Sequence, residues 1–230
     1  MTDVQYPIAE HFLSPQGEGA WAGTLMHFIR FAGCSVGKPF TSADRRVWYK
    51  HNSNGVLHIY QEKCCSAIGE DFVCDTDFRM KQKMSIADIL DAVGNTQRVC
   101  LTGGEPLMHD IDPLITALHD RWRDVHIETS GTIPFSRRNH TWVAVSPKTG
   151  CLDVCLHRCD EIKVLVGENF DEQAFCTKFA SWITHDKVWV QPVNHEFDVN
   201  RDNLDRCLSL QKRYPKLRIS TQLHKIWGVR

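Results

Sequence analysis

From residue 85 onward, apolar positions fall into two alternating patterns. Short runs rich in apolar residues, such as Arg98–Thr102, Val125–Thr129, Trp142–Ser146, Glu161–Val166 and Lys187–Val193, suit strands of a buried sheet. Between them, apolar residues recur every three or four positions. One such stretch starts at Ser85-Ile-Ala-Asp88, which looks like a capping box, and runs to Gly94. Others are Asp112–Trp122 (Leu114, Ile115, Leu118, Trp122), Asp171–Ile183 and Arg201–Tyr214. An earlier strand, Leu25–Phe31, and a last one, Leu217–Leu223, complete about seven strands, mostly followed by helices. This order predicts a parallel α/β sheet with right-handed crossovers. A closed eight-unit barrel takes about 250 residues. Here the stretch from 37 to 72 shows no period and reads as a loop-rich insertion after the first strand. The expectation is therefore an incomplete, open β/α barrel forming a single domain over residues 1–230.

Polar or special residues gather where these strands end. Arg98–Thr102 runs into Gly103-Gly104-Glu105-Pro106, and Val125 onward into Glu128-Thr129-Ser130-Gly131. The Trp142 strand reaches Ser146-Pro147-Lys148, the Lys187 strand Gln191-Pro192, and the last strand Gln222-Leu223-His224. In a parallel sheet these ends share one rim, where ligands bind. Strand ends are also polar simply because chains turn there. Glu, Lys, Gln and His together at the ends of buried strands favour a site, and Gly103-Gly104 permits close backbone approach to a ligand.

Composition narrows the classes. The 230 residues are 42% apolar and 24% charged with a net charge of −1, which lacks the basic excess of a nucleic-acid binder. No apolar run nears the roughly 18 residues that span a bilayer, and the N-terminus lacks the basic and apolar regions of a secretory signal. A cytoplasmic enzyme with no membrane or nucleic-acid partner is expected. Ten cysteines in a reducing compartment imply metal ligation, catalysis or burial rather than disulfides. Cys100, Cys176 and Cys207 sit in apolar periodic segments and read as core. Cys34, Cys64, Cys65 and Cys74 could supply three thiolates to a [4Fe–4S] cluster with one open iron. By spacing alone a zinc site, with His51 or His58, is favoured over a cluster. Cys151, Cys155 and Cys159 form a helical stripe that reads as a packed face rather than a second metal site. His11, His27 and His109 read as packing or surface residues.

Taken together and in order, Gln16-Gly-Glu-Gly19, Phe28-Ile-Arg30-Phe-Ala-Gly-Cys34, Cys74-Asp-Thr-Asp-Phe78, Thr102-Gly-Gly-Glu-Pro106, Glu128-Thr-Ser-Gly131, Ser146-Pro-Lys148, Gln191-Pro192 and Gln222-Leu-His-Lys225 resemble the 7-carboxy-7-deazaguanine synthase family of radical S-adenosylmethionine (SAM) enzymes, over nearly the whole chain. The resemblance implies a homodimeric lyase of the 7-deazapurine (preQ0 and queuosine) route. Such an enzyme converts 6-carboxy-5,6,7,8-tetrahydropterin to 7-carboxy-7-deazaguanine with loss of ammonia, using a [4Fe–4S] cluster, SAM, Mg2+ and an outside electron donor. It implies cluster ligands Cys34, Cys74 and one of Cys64 or Cys65, with Cys64 favoured because long-insert members place that cysteine ten residues before the last. It implies SAM contacts Thr102, Gly103, Gly104, Glu105, Ser130, Ser146, Lys148 and Gln191. The implied substrate contacts are Gln16, Glu18, Arg30, Glu128 and His224, with Thr76 as the Mg2+ ligand beside Asp75. Two features depart from the pattern: 39 residues separate Cys34 from Cys74, and Arg230 stands where the family often closes with a proline whose carboxylate meets substrate. Another radical SAM enzyme of the activase kind, or a zinc-binding non-enzymatic protein, are the competing readings.

Overall fold

The structure, a computed structural model, describes residues 4–36, 47–52, 55–60, 62–68, 71–74, 76–137, 139–194 and 198–229. For 47–52, 55–60, 62–65 and 71–74 only the backbone is described. The strands in chain order are β1 (Gln5–Pro15), β2 (Leu25–Phe31), β3 (Val47–Asn52), β4 (Gly55–Tyr60), β5 (Glu62–Cys65), β6 (Asp71–Cys74) and β7 (Gln82–Ser85). They continue with β8 (Arg98–Gly103), β9 (Asp124–Thr129), β10 (Thr141–Val145), β11 (Glu161–Val166), β12 (Val188–Pro192) and β13 (Arg218–Ile219). The helices are α1 (Ile86–Val93), α2 (Asp112–Asp120), α3 (Asp153–Arg158), α4 (Glu172–Phe179), α5 (Arg201–Arg213) and α6 (Leu223–Trp227).

Among the described residues one large sheet has the order β13-β12-β11-β10-β9-β8-β2-β1-β7. The run from β2 through β8 to β13 is parallel throughout. Only β1 and β7, at one edge, are antiparallel. Helix starts follow local chemistry. Ser85 and Asp88 cap α1 reciprocally, Ser85 Oγ accepting from Asp88 N at 3.1 Å and Asp88 Oδ2 from Ser85 N at 2.8 Å. Asp171 caps α4 and Asn200 caps α5 in the same manner.

Strand alternation divides the sheet into two unlike faces. Val99, Leu101, Val125, Ile127, Val143, Val145, Ile162, Val164, Val188 and Val190 point one way and are buried against Leu114, Leu118, Leu156, Phe175, Phe179 and Leu210 of the helices. Each fully buried side chain of this size stabilises the fold by about 1.5–3 kcal/mol. Thr102, His126, Glu128, Ser146, Glu161, Lys163 and Gln191 have the opposite parity. That second face mixes these polar side chains with an apolar patch of Met26, Phe28 and Cys100.

Three expectations change. The last strand ends at Ile219, and Leu223–Trp227 form the short helix α6. Five residues are too few to show helical periodicity, so the apolar run read as strand. The stretch expected as loop-rich carries two antiparallel hairpins in its described part, β3–β4 and β5–β6. Strand β1, eleven residues long and containing Pro7 and Pro15, had no clean alternation to mark it. No described helix is long and apolar enough to cross a membrane.

Candidate active site

At the C-terminal ends of the parallel strands lies a cavity of about 220 Å³. Cys34 from the loop after β2, Thr102-Gly103-Gly104 after β8, Glu128 and Ser130 at the end of β9, Ser146 and Lys148 after β10, and Gln191 of β12 all line it. Glu18 from the β1–β2 turn and Thr76 complete the wall. Eleven expected residues, scattered over 173 positions of chain, thus meet in one place. A larger cavity, about 570 Å³, opens at the other ends of the strands between Trp21, Trp142 and Arg98, and contains none of them.

The glycine pair lines the cavity and also serves the fold. A Cβ on Gly104 would lie 1.8 Å from the Gly33 carbonyl oxygen and 3.1 Å from Cys34 Cβ. On Gly103, at φ +142°, it would meet the Phe31 backbone at 2.3 Å. The close approach is therefore between β8 and the Cys34 loop. Two hydrogen bonds fix it, Glu105 N to Gly33 O at 2.9 Å and Gly104 N to Phe31 O at 3.1 Å. The Glu105 side chain is buried and does not line the cavity. Its carboxylate accepts from Leu107 N (3.1 Å), Thr129 Oγ1 (2.8 Å), Ser130 N (2.8 Å) and Ser130 Oγ (2.5 Å), joining the ends of β8 and β9.

The most charged cluster lies deeper. Lys163, in the middle of β11 and 3% exposed, donates to Glu18 Oε2 at 2.8 Å and Glu128 Oε2 at 2.6 Å. Gln191 Nε2 (3.1 Å) and Gln222 Nε2 (3.0 Å) donate to the other oxygen of Glu18, and Gln16 Nε2 donates to Glu128 Oε1 at 3.2 Å. Burial pushes the Glu18 carboxyl up, but Lys163, His224 and Gln222 outweigh it and hold Glu18 well below the usual carboxylate range. For Glu128 burial, together with the negative charge of Glu18, outweighs Lys163 and Lys148, and the carboxyl is raised. Burial opposes the charge on Lys163, yet Glu128, Glu18 and Glu161 keep it protonated. His126, 3.5 Å from Glu128, is pushed down to about 3 by burial and by Lys163, so its ring is neutral. Glu161, which accepts from Ala20 N at 2.8 Å, is raised to about 7 by burial.

Arg30 and Gln16 adjoin the cavity without lining it. Arg30 Nη1 donates to Thr76 Oγ1 at 3.0 Å, and its Nε lies 3.3 Å from Glu10. His224, on α6, packs against Gly17, whose carbonyl accepts from Leu223 N at 2.9 Å. The side chains of Cys64, Cys65 and Cys74, and all of Asp75 and Arg230, fall outside the described residues. The backbone still relates the cysteine segments. Glu62 pairs with Cys74 and Cys64 with Phe72, so Cys64 and Cys74 share register parity on their hairpin and Cys65 has the opposite one. Just after β5, Ser66 bridges to Lys148 and Ala67 N donates to Pro147 O at 3.0 Å. Gly33 N donates to Phe78 O at 2.9 Å. The Cys34 loop and the β5–β6 hairpin are thus both tied to the cavity rim.

The remaining cysteines pack. Cys100, Cys155, Cys159 and Cys207 are buried, and burial pushes the thiols of Cys159 and Cys207 up to about 12. Cys155 and Cys159 donate to the backbone carbonyls of Ile133 and Leu156. His109 bonds the Ala32 carbonyl at 3.0 Å and stacks on Phe31, while His11 and His27 stack on each other.

No protein-family model matches the chain. It is 32% identical over 240 residues to the 7-carboxy-7-deazaguanine synthase of Bradyrhizobium diazoefficiens, covering 99% of this chain and 100% of that one. It is 32% identical over 243 residues to the enzyme of the same name from Escherichia coli K12, covering 98% and 100%. The crystal structure of QueE from Escherichia coli superposes with a TM-score of 0.65 at 28% identity, covering 95% of this chain and 94% of that one.

Proposed function

The chain belongs to the 7-carboxy-7-deazaguanine synthase family, and from that premise we propose that it converts 6-carboxy-5,6,7,8-tetrahydropterin to 7-carboxy-7-deazaguanine with loss of ammonia. It is then a radical SAM carbon–nitrogen lyase of the 7-deazapurine route, working as a single-domain enzyme in the cytoplasm. What supports this reading most is the convergence of Cys34, Thr102–Gly104, Ser130, Ser146, Lys148, Gln191, Glu18 and Glu128 on one cavity.

Cys34, Cys64 and Cys74 would hold the [4Fe–4S] cluster, and the cluster and SAM supply the radical chemistry when bound. The donor set fits, since Cys34 faces the cavity and the hairpin bearing the other two is bonded to its rim. Shared parity of Cys64 and Cys74 supports Cys64 over Cys65. Thr102, Gly103, Gly104, Ser130, Ser146, Lys148 and Gln191 would surround SAM, while Glu105 supports them from behind. Glu18 and Glu128 would read the pterin's N–H edge, where an unmatched buried partner is costly. Arg30 would clamp the substrate carboxylate in a bidentate pair, with Gln16, His224 and Arg230 as further contacts. Thr76 would place its hydroxyl oxygen on Mg2+, which prefers hard oxygen ligands and keeps positions open for substrate.

The open-barrel reading draws support from the β1–β2 turn. Gly19 N donates to Ser220 Oγ at 2.9 Å and Ala20 N to Glu161, so a turn from one side of the sheet order reaches strands at the other. A homodimer is what membership of this family implies. An outside reductant would supply the electron. Anaerobic reconstitution with iron and sulfide tests the whole reading. It should give about four irons per chain and, with SAM and the pterin, the deazaguanine acid by mass spectrometry. A colourless protein that holds only zinc refutes it.

A further inference from the structure

Three carboxyl groups and one ammonium cluster on one face of the sheet, Glu161 and Lys163 buried and Glu18 and Glu128 partly exposed at the cavity. Glu18, from the β1–β2 turn, and Glu128, from β9, both touch Lys163. Glu161 lies two positions before Lys163 on β11 and adds its field. Also facing this group are the neutral ring of His126 on β9, His224 on α6, and Lys148 after β10. Lys163 has no place in the roles assigned above. A buried lysine is expensive unless paired, and a residue needed only for packing on this strand would be apolar like Ile162 and Val164 beside it.

We propose that Lys163 is the specificity-determining positioning residue of the substrate pocket: by gripping Glu18 and Glu128 on one ammonium it sets which heterocycle edge the two carboxyl groups accept. This rests on the function proposed above and adds to it the origin of the selectivity. One positive charge cannot balance two carboxylates equally. Glu18, which also receives Gln191 and Gln222, stays the anion and can only accept hydrogen bonds. Glu128 accepts from the same ammonium and from Gln16 Nε2. Two carboxyl groups held side by side in this way fit a heterocycle whose edge has adjacent ring N–H and exocyclic amine donors. A pterin has that edge. A lumazine, with oxygen in place of the 2-amino group, lacks one of the donors.

The test uses reconstituted holoenzyme and two stable probes, 6-carboxypterin and 6-carboxylumazine, in equilibrium binding. Wild type should favour the pterin by on the order of 100-fold or more, the range in which sites built for a polar group reject analogues lacking it. In Lys163→Met, pterin affinity should fall on the order of 10- to 100-fold and the pterin-to-lumazine ratio should narrow, while iron content and SAM affinity stay at wild-type values. If Lys163→Met keeps both the affinity and the ratio, the role of Lys163 is overturned. If wild type binds neither probe, the proposed function itself fails and the inference falls with it. Should Lys163→Met not fold, Lys163→Arg, which keeps the charge and alters the grip, decides: a narrowed pterin-to-lumazine ratio supports the proposal, and an unchanged ratio overturns it.

Discussion

Gly104→Ala separates a steric account of the Gly-Gly pair from a purely conformational one. The new methyl carbon would start 1.8 Å from the Gly33 carbonyl oxygen, a backbone atom that cannot rotate away. Relief needs a shift of more than 1 Å, judged by the 3 Å or more that carbon–oxygen contacts require. The Gly33 carbonyl also accepts from Glu105 N at 2.9 Å, and Gly33 N donates to Phe78 O at 2.9 Å, so the shift strains two hydrogen bonds as well. Overpacking of this kind costs about 1–3 kcal/mol, and a lost hydrogen bond adds about 1 kcal/mol. Stiffening of the unfolded chain by alanine returns about 0.4–1 kcal/mol. The net is a destabilisation of about 1–4 kcal/mol, or roughly 2–16 °C in Tm for a chain of this size.

The displaced segment ends in Cys34, whose Cβ lies 3.1 Å from the added methyl. Iron per chain after anaerobic reconstitution should therefore drop along with Tm. Gly23→Ala is the control. Gly23 sits at φ +86° with nothing within 4 Å, so alanine there meets only the conformational cost of about 1–2 kcal/mol. It should leave the iron content intact. Differential scanning calorimetry and iron analysis on both variants check this. If Gly104→Ala loses no more Tm than Gly23→Ala and keeps full iron, the tight docking of the Cys34 loop on β8 is refuted.

Cys34→Ala, Cys64→Ala and Cys74→Ala should each abolish the cluster absorbance, and Cys65→Ala should retain it; loss in the Cys65 variant instead would refute the parity argument. Glu105→Ala strands the Leu107 and Ser130 amides and the Thr129 hydroxyl, and urea unfolding should show a loss of about 2–4 kcal/mol. Glu161, raised to about 7, binds its proton more tightly in the folded than in the unfolded state. Its stabilisation is present below about pH 4.5 and is lost as pH rises toward 7, about 3 kcal/mol in all. Glu161→Gln should flatten that slope in urea titrations across pH 5–8.

The parallel sheet was legible because its signal is local and redundant. Short runs rich in β-branched and apolar residues, such as Glu161–Val166, read as buried strands, and the polar residues at their ends mark the rim without any knowledge of pairing. What escaped was set by tertiary partners. Strand β1 is held by Leu25–Phe31 on one side and Gln82–Ser85 on the other, and its own sequence, interrupted by prolines, has no clear period. Glu105 carries the motif's only charge, yet its carboxylate serves the fold, a distinction no spacing encodes. Lys163 did leave a signal. A charged residue two positions after Glu161, inside a strand otherwise apolar on both faces, has no solvent-facing side to occupy. It had to be paired across the sheet, and Glu128 was the acidic residue already placed at the end of another strand. The same parity that sends Ile162, Val164 and Val166 under the helices sends Glu161 and Lys163 to the opposite face. The chemistry of the pocket and the stability of the layer are thus two readings of one alternation, and a one-residue slip of β11 would destroy both.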